Sequence, residues 1–346
     1  MGDRAAEIKG IKAWLNSEPL TLAGLRGKVV LVDFWTYTCI NCIRTYPFLK
    51  LWHSRYADDG LVIIGVHSPE FEFEKDQANV TRATQDDRIV WPVAMDNDFV
   101  TWRNYSNRFW PAKYLVDQHG EVRYTHFGEG KYAETEKKIR ELLLETGAEF
   151  IGGDMPLPSD QTVDPTYLDN RSAEVTRELY GGYERGYNDF LYGRGGYFKQ
   201  QAYYDNPNKV VDFESSGSFD PHQIYLDGPW LVGPESIKHG RATDGHQDTL
   251  SIVYSAVSVN AVLTSESGND YSVRITVDGE YLTQENKGED VIIGSDGESY
   301  IMVTEDRLYR VLANSEYKLR ERLAMSSDSP DFGLFAFTFG IYKKGL

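Results

Sequence analysis

The chain has 346 residues, 41% hydrophobic and 13% aromatic, with a formal net charge of −17. So much apolar side chain excludes a disordered chain, and the length exceeds the ~250–300 residues at which one core stops growing, so two domains are expected. Acidic residues are spread along the chain without a lysine/arginine block, which argues against nucleic acid and anionic membrane surfaces as partners.

The first residues, Met-Gly-Asp-Arg-Ala-Ala-Glu-Ile, lack the basic-then-apolar pattern of a secretory leader. Two readings stay open: a cytoplasmic protein, or a piece of a longer exported or membrane-tethered chain. No window approaches the ~18 apolar residues of a membrane helix. Lys28–Trp35 (KVVLVDFW) and Leu61–His67 (LVIIGVH) are short β-branched runs without polar alternation, which predicts strands covered on both faces. A helical segment, Cys39–Tyr56, lies between them. A polar, helix-prone insert follows around Glu74–Thr84, then a strand at Val90–Met95 and a helix starting near Asp98. Lys113–Val116 and Val122–Phe127 read as a strand pair turned at Gln118-His119-Gly120. Ala133–Thr146 reads as an amphipathic helix with Glu134 and Glu136 in its first turn and Gly147 as its stop. Residues 1–147 therefore form an α/β unit with a partly parallel sheet.

Residues 148–170 carry Gly152-Gly153, Pro156, Pro158 and Pro165 among small polar residues, which is linker chemistry. The periodicity then changes. Leu250–Thr264, Tyr271–Val277, Ser299–Thr304, Leu308–Leu312 and Leu334–Phe339 read as strands, and Asp278-Gly279 as a hairpin turn. Only Glu174–Tyr180 offers a helix. Residues 171–346 are expected to form an all-β sandwich of jelly-roll type.

The two cysteines of the chain, Cys39 and Cys42, sit in WTYTCINCIRTYP. A structural disulfide between them would close a very short loop, where stabilisation through the unfolded chain is least. Zinc would need further ligands, and no histidine lies at finger-like spacing, so no metal is expected. A redox-active dithiol fits best. Directly after a buried strand and at a helix start, backbone N–H groups favour thiolate at the first sulfur. Cys39 is then the nucleophile and Cys42, one turn inside, the resolving thiol.

Asp33 is an acid inside an apolar strand, where desolvation should raise its pKa and fit it to shuttle a proton with Cys42; a merely hydrogen-bonded or partly wet carboxylate is the alternative. Pro47 falls inside the helical segment and predicts a kink. Trp110-Pro111 precedes the strand at Lys113. A cis bond there would let the Trp110 backbone pair with a substrate peptide, whereas an ordinary trans proline would only start the strand. No G-x-G-x-x-G or Walker-type loop supports a nucleotide, and no cofactor is expected.

Asp33-Phe34-Trp35, Cys39-x-x-Cys42, Pro47 and Pro111 before a strand resemble the thioredoxin fold in their spacing. LTLAGLRGKVVLV (20–32) and the insert before Val90 are similar to TlpA/ResA-type thiol–disulfide oxidoreductases. WTYTCINC, GVHSPEFEFEK (65–75), WRNYSNRFWPAKYLVD (102–117) and FGEG (127–130) resemble the thioredoxin-like portion of the bacterial DipZ proteins. The resemblance implies Cys39 as nucleophile, Cys42 as resolving thiol, Asp33 as buried acid and Pro111 as cis-proline. It also implies an extracytoplasmic setting, a CcdA-like membrane electron donor, and a carbohydrate-binding-module-like second domain. Thr45 stands where ResA-like enzymes often carry a glutamate, so that acid is missing. Leu61–Val66 has no lysine of the kind thioredoxins place near the buried aspartate, so Asp33 should feel nearly undiluted desolvation. His67 and Glu70 close the second strand beside the site, as loop hydrogen-bonding groups or as proton-transfer aids.

In the second domain LYGGYERGYNDFLYGRGGYFKQQAYY (179–204) is dense in tyrosine. Its rings, and Trp230, suit packing or domain docking more than stacking on a glycan. The expected function is disulfide exchange with protein thiols and disulfides. The alternatives are a thiol peroxidase, suggested by Thr36 three residues before Cys39 although Val32 replaces the motif's proline, and a glycan- or partner-binding protein with a vestigial redox domain.

Overall fold

The computed structural model describes residues 3–149, 156–160, 162–170, 172–185, 196–215, 217–265 and 267–342. Gly152-Gly153 of the expected linker, and Tyr187 and Tyr192 of the tyrosine-dense segment, lie outside the described residues. The chain divides into two compact units, Met1–Gln161 and Thr162–Leu346.

Among the described residues of the first unit six strands run β1 (Trp14–Leu15), β2 (Val29–Trp35), β3 (Leu61–His67), β4 (Val93–Met95), β5 (Ala112–Val116) and β6 (Val122–Phe127), in the sheet order β1-β4-β3-β2-β5-β6. β2, β3 and β4 are parallel; β5 is antiparallel to β2 and β6 to β5. Every residue of β2 is buried, because both faces of the central strand are covered. Alternation sends Val29, Leu31 and Trp35 to one core, which includes Cys42, and Val30, Val32 and Phe34 to the other. β1 is too short to leave a periodic signal.

The expected helix at Cys39–Tyr56 is two helices, α1 (Ile40–Ile43) and α2 (Tyr46–Tyr56). Pro47 does not kink a helix interior. It occupies the first turn of α2, where a missing N–H removes no intrahelical bond, and the break falls before it at Arg44-Thr45. The insert folds as a 3₁₀ turn, Glu72–Lys75, and α3 (Gln77–Asp86). Asp76 caps α3 by accepting the N–H groups of Ala78 (2.7 Å) and Asn79 (3.2 Å). Asp76→Ala is expected to cost about 1 kcal/mol, read as a lower midpoint in urea unfolding. α4 (Val100–Asn104) and α5 (Tyr132–Glu145) complete the unit. Glu136, expected only as a first-turn acid, is a buried hub. It accepts from Trp52 Nε1 (3.0 Å), Tyr56, Arg55 (2.7 Å) and Arg140 (2.7 Å). Of the segment expected as a linker, Pro156 accepts from Arg55 and Asp160 caps the Tyr132 N–H. Asp164 donates its N–H to the carbonyl of Ile341, the residue after the strand Gly333–Gly340, within the second unit.

Among the described residues of the second unit, eleven strands form one sheet whose strand pairings are antiparallel. Its spine is two long strands, Thr249–Thr264 and Arg307–Ser326. In the first of these the core residues are Leu250, Ile252, Tyr254 and Ala256, then Val259, Ala261 and Leu263. The change from even to odd positions coincides with register shifts at Ala256/Ser258 and Val259/Asn260, so bulges redirect the strand's apolar face. The expected Leu308–Leu312 extends to Ser326, because Glu316, Arg320 and Arg322 are exposed and obscure the pattern. Ile224–Val232 escapes sequence reading because Asp227-Gly228-Pro229 interrupts it. Glu174–Tyr180 is not a helix: Leu179–Tyr180 pairs with Ala336-Phe337 as a strand. Asp278 (φ 51°) and Gly279 (φ 87°) form the expected turn. Trp230 and Tyr203 are buried in the core, and Tyr183, Tyr197 and Tyr204 pack against it, so these rings build the domain's own interior.

Candidate active site

β2 ends at Trp35, and Thr36-Tyr37-Thr38 lead to Cys39, which is the N-cap of α1. The Cys42 N–H points at Cys39 Sγ across 3.3 Å. Cys39 is half-buried and Cys42 fully buried, and no disulfide joins them. An accessible sulfur thus stands one turn from an enclosed one.

Asp33 is 1% exposed and falls by alternation on the Leu31/Trp35 face, the face that packs against Cys42. It has a cation. Lys113 Nζ lies 3.4 Å from Asp33 Oδ1, itself 1% exposed, without the alignment of a hydrogen bond. The expectation of undiluted desolvation is therefore corrected. β3 indeed offers no lysine, but β5, on the other side of β2, pairs Lys113 directly with Asp33. Burial still holds the Asp33 carboxyl above the usual carboxylate range, and the Lys113 charge opposes that rise. In sequence Lys113 opens the expected strand Lys113–Val116. The rule that singled out Asp33, a charge inside a doubly covered strand, applies equally to it.

His67 is buried, and burial pulls its pKa down to about 3, leaving it neutral. Its Nε2 lies 3.3 Å from the Thr36 hydroxyl. Glu70 is half-buried and lends its N–H to Glu74. Glu74, which sequence reading left as part of a polar insert, is fully buried and accepts from Thr38, next to Cys39, through both the hydroxyl (2.6 Å) and the N–H (3.3 Å). Trp110-Pro111 is a cis bond. Ala112 pairs with Phe34, which puts this dipeptide at the end of the sheet where β2 leads towards Cys39. Trp110 Nε1 donates to the Ser68 carbonyl (3.0 Å), and Phe109 beside it is 51% exposed. Among the described residues no group of three or more His, Cys, Asp or Glu could hold a metal ion.

Residues 1–143 match the family described as Redoxin. The first unit is a thioredoxin-like redoxin domain. Residues 176–340 match the family described as thioredoxin like C-terminal domain. Protein DipZ of Mycobacterium tuberculosis is 38% identical over 81% of this chain and 37% of its own length. This chain therefore spans little more than a third of that relative. Thiol-disulfide oxidoreductase YkuV of Bacillus subtilis is 29% identical across 40% of this chain and 94% of its own. Thiol-disulfide oxidoreductase ResA of Halalkalibacterium halodurans is 28% identical across 37% of this chain and 68% of its own. Among the described residues no helix is long and apolar enough to cross a membrane.

Proposed function

We propose that this protein is a thiol–disulfide oxidoreductase that exchanges disulfides with protein substrates. The carrying observation is the pairing of half-buried Cys39 with enclosed Cys42, together with the buried Asp33–Lys113 pair on the sheet face whose core includes Cys42. The names of YkuV and ResA support the same chemistry. Cys39 thiolate attacks one sulfur of a substrate disulfide, and the other sulfur leaves as thiolate. Asp33 takes the Cys42 proton, Cys42 attacks Cys39 Sγ, and the second substrate sulfur departs. Two electrons pass from the dithiol to the substrate, and the reverse sequence oxidises a substrate dithiol. Trp110 and Pro111 are proposed to seat the substrate segment, supported by their place beside the end of β2.

A CcdA-like membrane electron donor and an extracytoplasmic setting are part of this proposal and rest on the DipZ resemblance alone. A peroxidase reading gains no support, since the Thr36 hydroxyl is buried against His67. For the second unit a structural role is favoured over glycan stacking, because Trp230 and Tyr203 are enclosed. Cys42→Ser, expressed in cells, tests the function: Cys39 is expected to accumulate as mixed disulfides with protein partners, visible on non-reducing gels. Absence of adducts under both oxidising and reducing conditions would overturn the proposal.

A further inference from the structure

The reaction above leaves Glu74 without a role, although its carboxylate binds the segment that delivers the nucleophile. Oε1 accepts from the Thr38 hydroxyl (2.6 Å) and N–H (3.3 Å), and Oε2 from the N–H groups of Phe71 (3.1 Å) and Glu70. One buried side chain thus ties the residue before Cys39 to the turn that follows β3. We propose that Glu74 is a positioning residue of the dithiol, which fixes the approach to Cys39 and couples its reactivity to the protonation of this carboxyl. The inference rests on reading Cys39 as the nucleophile.

All four donors suit an ionised, acceptor-only carboxylate. Three are backbone amides and cannot reverse; the Thr38 hydroxyl can turn from donor to acceptor, as can the Thr36 hydroxyl that also bears on this carboxyl. Burial, seconded by the Glu70 charge, nevertheless lifts the Glu74 pKa to about 7. The hydroxyls of Thr38 and Thr36 oppose the rise, and His67 behind Thr36 stays neutral. Lys75 and Glu72 of the same turn pair with each other at the surface. Near neutrality, protonation of Glu74 removes a negative charge bound to the residue before Cys39 and obliges a hydroxyl, that of Thr38 or Thr36, to turn. The lost charge favours thiolate at the neighbouring sulfur.

The test is the rate of iodoacetamide alkylation of Cys39 in the full chain carrying Cys42→Ser, followed from about pH 5 to pH 9, with and without Glu74→Gln. With Glu74 present the profile should contain a step near pH 7. Glu74→Gln should remove that step, react roughly threefold to tenfold faster above it, and converge with the parent at the acid end. Superimposable profiles in two folded proteins would overturn the inference. Should Glu74→Gln not fold, Thr38→Val deletes one hydroxyl donor to the carboxylate and leaves the backbone donors: the step should move to higher pH, and an unmoved step overturns the proposal. Alkylation needs no substrate disulfide. A parent protein that exchanges no disulfide would therefore count against the proposed function and leave this readout intact.

Discussion

Lys113→Met is expected to destabilise the redoxin domain by about 3–5 kcal/mol near neutral pH, because it leaves the Asp33 carboxylate buried without its cation. Methionine keeps most of the lysine stem, so the loss reports charge more than volume. The pH dependence has a definite sign. The folded pKa of Asp33 lies above its unfolded value of about 3.9, so the folded state holds the proton more tightly. Stability contributed by that proton is present in acid and declines as pH rises from the unfolded value through the folded one. Without Lys113 the folded value rises further, and the decline steepens and extends upward. Urea unfolding near pH 7 and near pH 4 should therefore give a large and a small penalty respectively. Asp33→Asn combined with Lys113→Met should recover most of the neutral-pH loss. An equal penalty at both pH values would mean that packing, not the unpaired charge, sets the effect.

Cys39→Ser is expected to bring disulfide turnover down to the uncatalysed level, since serine cannot supply a thiolate. Cys42→Ser should behave differently. It retains the first attack, releases one substrate thiol per protein, and then stops at the mixed disulfide. Stopped-flow or quenched mixing with a small aromatic disulfide distinguishes a single burst from no reaction. A Cys39→Ser protein that still turns over would remove Cys39 from the first step and reverse the assigned order of the two sulfurs.

Much of the first unit is legible because its strands are pure: β2 and β3 carry runs of Val, Leu and Ile that only a doubly covered sheet requires. The cysteine spacing and the acid in β2 stand out for the same reason, as polar exceptions in an apolar background. Other members of the site are hidden by their surroundings in the sequence. Lys113 opens the run KYLV, where a charge looks like a boundary, and only the antiparallel register reveals its partner. Glu74 sits in EFEFEK, which resembles a solvated turn, and its enclosure comes from Thr38, 36 positions earlier. In the second unit, strands that carry charge on one side or a proline in the middle lose their alternation, so Arg307–Ser326 is read as a fraction of its length and Ile224–Val232 not at all.

The pairing of Asp33 with Lys113 behaves as a reading frame. β5 presents Leu115 and Lys113 to one layer and Ala112, Tyr114 and Val116 to the other. Inserting or deleting a single residue between Pro111 and Lys113 would turn the ammonium out of the layer that holds Asp33 and bring an apolar side chain in. The distance from that proline to the lysine is therefore as tightly constrained as the distance between the two cysteines. In related chains lacking a lysine on β3, a cation two positions beyond this proline is the place to look for the partner of the buried acid.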